Sequence, residues 1–178
     1  GKFDDDIARV CLNLAMVYGR EKAGPQAEAY FIRSKRIRDE LAQKNPARFE
    51  PDLAKTLTNY ADFCARASRY READSLFTIA GTLWSKCRAS SLEQYGELLA
   101  WHNGLHADCL IRSGQYRKAA DLLENTLELF NTLAKAKNKS YDTDCITDNI
   151  SAALAWENLP DIKKSFYYLD KASFIIDT

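Results

Sequence analysis

The chain has 178 residues, of which 46% are hydrophobic, and its 25 basic and 25 acidic side chains give a formal net charge of zero. A neutral chain disfavours nucleic acid as the main partner, because phosphate binding depends on a basic surface. No apolar run approaches the roughly 18 residues that a membrane span requires, so we expect no membrane partner either.

Helix signals follow one another along the first half of the chain. The first helix is predicted over Asp4 to Gly19, with three aspartates at the positive end of its dipole. Gly24-Pro25 begins the second helix, because proline is tolerated in the first turn. Asn45-Pro46 ends it, and Pro51-Asp52 begins the third. The fourth helix is predicted to follow Ser68 and to reach about Cys87.

The second half repeats this organisation. Ser90-Ser91 followed by Glu93-Gln94 indicates a capping box for the fifth helix. The sixth is predicted from Tyr116 to about Lys137, and a break follows at residues Asn138 to Tyr141. The seventh helix begins after this break and extends to Asn158. Pro160 begins the eighth, which runs to the end. Because the breaks are short, successive helices should lie antiparallel.

A pattern of small and apolar residues recurs along these helices every 46 positions, without gaps. One column holds Ala27, Ala73, Ala119 and Ser165. Four further columns keep their character at the same interval: Ala15, Ala61, Ala107 and Ala153; Phe31, Phe77, Leu123 and Leu169; Ser34, Ala80, Thr126 and Ala172; Ile37, Leu83, Leu129 and Ile175. Small residues let two helices approach closely, and large apolar residues fill the remaining space. Such self-similarity indicates an array of stacked supersecondary units.

The order of residues within one unit resembles the tetratricopeptide repeat (TPR). The second unit carries Tyr60-Ala61, Cys64, Ala73, Phe77 and Ala80, and the third carries His106-Ala107, Leu110, Ala119, Leu123 and Thr126. The usual repeat has about 34 residues, so the interval of 46 resembles the long-repeat members of the family, such as kinesin light chain. The fourth unit matches the pattern least well.

The resemblance implies an all-α fold in which four antiparallel helix pairs, eight helices in all, form a right-handed superhelical array. We expect a single array over residues 1–178, with repeats at about 4–45, 50–89, 91–138 and 140–178, as a fragment of a longer protein. In this family the first helix of each pair lines a concave groove. By column, the expected groove positions are Arg9, Met16, Arg20, Lys55, Thr58, Asp62, Arg66, Trp101, Asp108, Arg112, Leu154 and Asn158.

The expected groove contains acids and an aromatic residue. The Lys and Asn with which chaperone-type TPR proteins grip a C-terminal carboxylate are absent from the corresponding columns. Asp62 and Asp108 are instead candidates to hold a Lys or Arg of an extended peptide, with Trp101 as its anchor. In the alternative interpretation, each aspartate pairs with the arginine one turn on, Arg66 or Arg112, as is common on helix surfaces.

Two other clusters have a functional and a structural interpretation. His102, His106 and Cys109 share one helical face, but no fourth ligand accompanies them, so packed histidines are favoured over a metal site. Cations near the helix ends could receive an acidic or phosphorylated segment, or they could simply offset the helix dipoles. These cations are Arg20, Arg66, Arg71, Arg112, Arg117 and Lys163.

Catalytic motifs and paired cysteines are both missing from the sequence. It contains no Gly-rich phosphate loop, nucleophile elbow or paired histidine and carboxylate motif, so we expect neither an enzyme nor a cofactor. No C-x-x-C pair occurs, which favours reduced core thiols and a cytoplasmic protein over disulfides in an exported one. The cysteines are Cys11, Cys64, Cys87, Cys109 and Cys145.

The predicted function is a non-catalytic scaffold that binds a protein or peptide partner in its groove. The alternative is a regulatory or sensory segment of a larger signalling protein, a kinase or a transcription regulator, that acts by oligomerisation or by occluding an effector. The last helix is apolar on more than one face, whereas a terminal repeat usually has a polar outer face. We therefore expect further repeats beyond it, or a homo-oligomer contact through Phe166, Phe174, Ile175 and Ile176.

Overall fold

The computed structural model describes residues 3–21 and 24–176, and every regular element in these ranges is an α-helix. The helices are α1 (Asp4–Arg20), α2 (Gly24–Lys44), α3 (Pro46–Arg66), α4 (Tyr70–Ser90), α5 (Leu92–Arg112), α6 (Tyr116–Lys137), α7 (Asp142–Glu157) and α8 (Ile162–Ile176). Within the described ranges, the all-α class and the eight helices are confirmed. Positions 1–2, 22–23 and 177–178 of the expected array lie outside the described residues.

The fold divides into two compact units, Gly1–Cys87 and Arg88–Thr178. In the first unit, α1 packs on α2 and α2 packs on α3. In the second, α5 packs on α6, α6 on α7 and α7 on α8. Within each unit, helices that follow each other in the chain are thus neighbours in space, as expected for an array of helix pairs.

The interval of 46 reappears in the helix boundaries. The second helix of each pair begins at Gly24, Tyr70, Tyr116 and Ile162, which are 46 residues apart. The reversals before α4 and α6 also match, because Ser68 (φ 59°) and Gly114 (φ 77°) adopt the left-handed conformation at equivalent positions. Glycine adopts this conformation readily, whereas a serine pays roughly 1 kcal/mol for it. The geometry of the reversal is therefore retained even where the residue is unfavourable.

The third helix begins five residues before the predicted start at Pro51. Asn45 is its N-cap, and the side-chain oxygen of Asn45 accepts a hydrogen bond from the backbone N–H of Arg48 (3.3 Å). Pro46 follows at a position where its missing N–H costs nothing. Asn45 and Pro46 therefore provide the start of α3, and Pro51 lies inside the helix. The predicted start at Pro51 was wrong.

The predicted cap of the fifth helix is present. The Ser91 hydroxyl accepts a hydrogen bond from the backbone N–H of Gln94 at 3.3 Å. Such a cap satisfies one of the backbone donors that the first turn of a helix leaves without an intrahelical partner. The start of α5 was therefore predicted correctly from local sequence.

Four of the five repeat columns form the core, whereas Ile37, Leu83 and Ile175 of the fifth column are only partly buried. Ala15, Ala61 and Ala107 are fully buried, as are Ala27, Ala73 and Ala119 in the facing column. Polar members of the columns satisfy their hydrogen bonds inside the core, since the Ser34 hydroxyl donates to the Ala8 carbonyl (2.8 Å) and the Thr126 hydroxyl to that of Leu122 (2.8 Å). Leu169 is an exception. It is 45% exposed on α8, although Phe31, Phe77 and Leu123 of its column are buried.

An ion-pair network joins α2 to the turn between α3 and α4. Arg69 donates to both carboxylate oxygens of Glu28 (3.0 and 2.6 Å) and to Glu72 (2.9 Å), and the Tyr60 hydroxyl also donates to Glu28 (3.1 Å). The hydrogen bonds from Arg69, and secondarily that from Tyr60, hold the pKa of Glu28 below its usual value. The two-pronged contact fixes the turn against the preceding helix pair.

We expect the substitution Ala73→Leu to destabilise the protein by roughly 1–3 kcal/mol, because a larger side chain overpacks a site with no exposed surface. Ala89→Leu is the matched control, since Ala89 lies on the same helix but is exposed. Urea unfolding followed by circular dichroism measures both. Equal stability of the two variants would contradict the assignment of Ala73 to the closely packed column.

Candidate functional site

The expected groove residues of the first unit lie on α1 and α3. Arg9, Arg20, Lys55 and Arg66 are exposed, and Met16 and Asp62 are partly exposed. Thr58, in contrast, is fully buried. Its hydroxyl donates to the Ala54 carbonyl (2.8 Å) and accepts a hydrogen bond from the Trp84 indole (3.1 Å). Thr58 therefore links α3 to α4 inside the core, and its prediction as a groove residue was wrong.

Both aspartates of the expected groove form the helix-surface pairs of the alternative interpretation. Asp62 pairs with Arg66 at 2.7 Å, and Asp108 pairs with Arg112 at 3.5 Å. Exposed pairs of this kind contribute only about 0–1 kcal/mol. A ligand cation can therefore compete with the arginine, most readily at Asp108, where the pair is longer and the carboxylate more exposed.

A cleft of about 520 Å3 in the second unit combines part of the expected groove with residues that the sequence interpretation missed. Trp101 and Asp108, which were predicted, line this cleft, whereas Leu154 and Asn158 are exposed outside its lining. Other lining residues come from α5, α7 and the chain before α7: Glu97, Gly104, Lys139, Tyr141, Asp144, Thr147, Asp148 and Ser151.

Helical spacing explains why these side chains meet. Trp101, Gly104 and Asp108 recur at intervals of three and four residues along α5, so they share one face. Asp144 and Asp148 are related in the same way on α7. Gly104 faces Asp148, because a Cβ added there would make an ordinary van der Waals contact, 3.8 Å from a carboxylate oxygen of Asp148. A longer side chain would occupy the cleft.

One acid of the cleft is already neutralised by its neighbours. Glu97 accepts hydrogen bonds from the Tyr141 hydroxyl (2.6 Å) and the Lys137 ammonium (2.9 Å), and Lys139 lies 3.5 Å away. The Tyr141 hydrogen bond, followed by that of Lys137, lowers the pKa of Glu97 to about 2. This cluster fixes the break between α6 and α7, where Asn138 adopts a left-handed conformation (φ 47°). Glu97 is a structural residue.

Asp144 and Asp148 differ from Glu97, because no cation forms an ion pair with either of them in the described part of the chain. Asp148 is only 8% exposed. Burial, and then the charge of Asp144, raises the pKa of Asp148 to about 7. A desolvated carboxylate beside a second negative charge is stabilised in its ionised form when a cation binds between them. The sequence signal for this pair was the i,i+4 spacing of two acids on α7.

Trp101 supplies an apolar wall beside these acids. It is 40% exposed, whereas Trp84 and Trp156 are each 1% exposed. Trp156 contacts two cations, Arg117 at 4.5 Å and Lys164 at 4.0 Å from the ring centroid, and its indole N–H donates to Glu124 (3.2 Å). Trp101 is thus the tryptophan positioned to contact a ligand.

Members of the other two clusters make contacts within the fold. Of the cations near the helix ends, Arg66 and Arg112 pair with aspartates and Arg117 covers Trp156. The ring of His102 is buried, 6.1 Å from that of His106, and burial lowers the pKa of His102 to about 3. No group of three His, Cys, Asp or Glu residues among the described ones could hold a metal ion.

None of the helices formed by residues 3–21 and 24–176 combines the length and the apolar character needed to cross a membrane. All five cysteines are free, and four of them are buried. No protein-family model and no curated protein matches the chain.

We expect Asp148→Asn to stabilise the protein at pH 8 by roughly 1–3 kcal/mol and to have little effect at pH 4. The pKa of Asp148 is higher in the folded state, about 7, than in the unfolded chain, about 3.9. The folded state therefore binds the extra proton between these values, and the wild type loses stability as the pH rises from about 4 to about 7. Asparagine does not titrate, so the variant avoids this loss.

Urea unfolding of both proteins at pH 4 and pH 8 measures the difference. Asp121→Asn removes an exposed acid of α6 outside the cleft and serves as the control. The contribution of His102 to the pH dependence is common to all three proteins and cancels. A stability difference that is the same at both pH values would exclude a raised pKa at Asp148.

Proposed function

We propose that this chain is a TPR-like scaffold, a right-handed superhelical array of helix pairs that binds a protein segment and catalyses no reaction. Support comes from the second helices of the pairs, which begin every 46 residues, and from small-residue columns that are buried in both units. The four buried free thiols support a reducing, cytoplasmic compartment. Binding uses the first helices of the pairs, which carry the exposed functional side chains of each unit.

The ligand of the second unit is an extended segment with a Lys or Arg next to an apolar side chain. The observation that carries this proposal is the juxtaposition of exposed Trp101 with Asp144 and Asp148, which no cation of the described chain balances. The ligand cation occupies the space between the carboxylates, while its apolar neighbour packs on the indole. An aromatic anchor beside a desolvated charge pair is a typical arrangement of an interface hot spot.

A regulatory segment of a larger signalling protein remains a second candidate. The specific observation in its favour is the apolar, exposed surface of α8, which includes Phe166 and Ile176. Such a surface suits the association on which that function depends. The two functions share the array, and the cleft serves a partner in both.

Short synthetic peptides test the proposed ligand. One carries a central lysine followed by leucine in a Gly-Ser background, and matched peptides replace the lysine with norleucine or glutamate. We expect the lysine peptide to protect the exposed indole of Trp101 from acrylamide quenching and to bind about tenfold or more tightly than the norleucine peptide, a difference of about 1.4 kcal/mol. Equal binding of the lysine and glutamate peptides would refute the acidic site.

Variants locate the binding. Trp101→Ala and Asp148→Asn should each weaken the lysine peptide about tenfold in a fluorescence anisotropy titration, since each removes one half of the site. Asp121→Asn should bind like the wild type. Affinity of the wild type should rise between pH 6 and pH 8, because Asp148 ionises in this range. Unchanged affinity in both variants would place the ligand elsewhere.

A further inference from the structure

The outer face of α8 carries an apolar stripe whose counterpart on α6 is covered. Ile162, Phe166, Leu169 and Ile176 recur at helical intervals and are 45–65% exposed. The residues 46 positions earlier on α6 include Ala120, Leu123 and Phe130, and these are buried. The difference is that α7 packs on α6, whereas no described helix follows α8.

Two internal interfaces show which kind of helix covers this stripe. On α2, the ring of Phe31 lies 5.2 Å from that of Tyr60 and 5.3 Å from that of Phe63, both on α3. On α6, Ala120 and Leu123 share one core cluster with residues of α7, among them Ala152 and Ala155. In both cases the second helix of one pair is covered by the first helix of the next pair.

The first helix of the described chain carries the complementary stripe. Leu14 and Val17 of α1 stand 46 positions before Tyr60 and Phe63, the two α3 residues that cover Phe31. With Ile7 and Val10 they form an apolar face, of which Ile7, Val10 and Val17 are 38–54% exposed. This face borders a shallow groove of about 370 Å3 that Tyr30 also lines. The groove can receive large side chains such as those of α8.

A polar contact of the internal interface also has its counterpart. The Trp156 indole on α7 donates to Glu124 on α6 at 3.2 Å. Tyr18 on α1 stands in the same column as Trp156, and Asp170 on α8 stands in the same column as Glu124. A hydroxyl donor and a carboxylate acceptor therefore occupy the positions at which the α6 and α7 interface forms its hydrogen bond.

We infer that α1 of one copy packs on α8 of a second copy, head to tail, so that the junction continues the 46-residue pattern. The occupant of the α8 stripe is thus another copy of this chain, which contributes the face of Leu14 and Val17. Such an interface is heterologous, because the two copies use different surfaces. It differs from the symmetric contact of α8 with α8, and it does not involve the cleft of Trp101 and Asp148.

Two charged variants test this arrangement. Val17→Glu blocks the α1 face and Leu169→Glu blocks the α8 face, and both sites are about half exposed, so each variant should keep the helical circular dichroism of the wild type. In sedimentation velocity, the wild-type chain should associate increasingly with concentration. Each variant by itself should be monomeric. An equimolar mixture should form a discrete 1:1 dimer, because one variant retains an intact α8 and the other an intact α1.

Ile79→Glu, which places the same charge at an exposed site on α4, should associate like the wild type. Val10→Glu and Phe166→Glu repeat the test if either first variant fails to fold. A wild-type chain that stays monomeric at all concentrations overturns the proposal. So does a Val17→Glu chain that still dimerises while Leu169→Glu does not, because that result identifies symmetric pairing of α8. A mixture that remains monomeric also overturns it.

Discussion

Close approach of paired helices at small-residue columns is the constraint on which the rest of each unit depends. In the columns, Ala15, Ala61 and Ala107 and the facing Ala27, Ala73 and Ala119 have no exposed surface. Larger side chains at these positions would overpack the helix pairs, so the columns fix the distance between helices. Because the columns recur every 46 residues, the reversals at Ser68 and Gly114 recur with them.

The column pattern made the helices and most of the core predictable, because periodicity reports which face of a helix is buried. It failed where burial depends on a neighbour that the pattern does not identify. Thr58 stands in a groove column but is buried with the indole of Trp84, whose N–H needs an acceptor. Leu169 stands in a core column but lacks a covering helix among the described elements. Asp148 was missed because its burial depends on α5, a separate stretch of sequence.

The acids of the second unit show how one fold gives carboxylates different roles. Glu97 and Asp148 line the same cleft, but the turn at Asn138 brings Lys137, Lys139 and Tyr141 around Glu97 only. Its ionised form is stabilised within the fold, and its pKa is low. Asp148 is desolvated without an equivalent partner, so its charge costs stability until a cation binds. A ligand cation that pairs with Asp148 removes this destabilisation, and the free energy recovered contributes to binding.

The ends of a repeat array and its binding surface are physically linked. Each helix pair leaves an apolar face that the next pair covers, and in the described chain such faces on α1 and α8 are exposed. When copies cover these faces for one another, each copy still presents its own acidic cleft, because Trp101 and Asp148 lie outside both stripes. A partner with several basic segments then binds several clefts, and each binding event after the first is intramolecular. Weak individual sites can thus give tight binding that depends on the concentration of the scaffold itself.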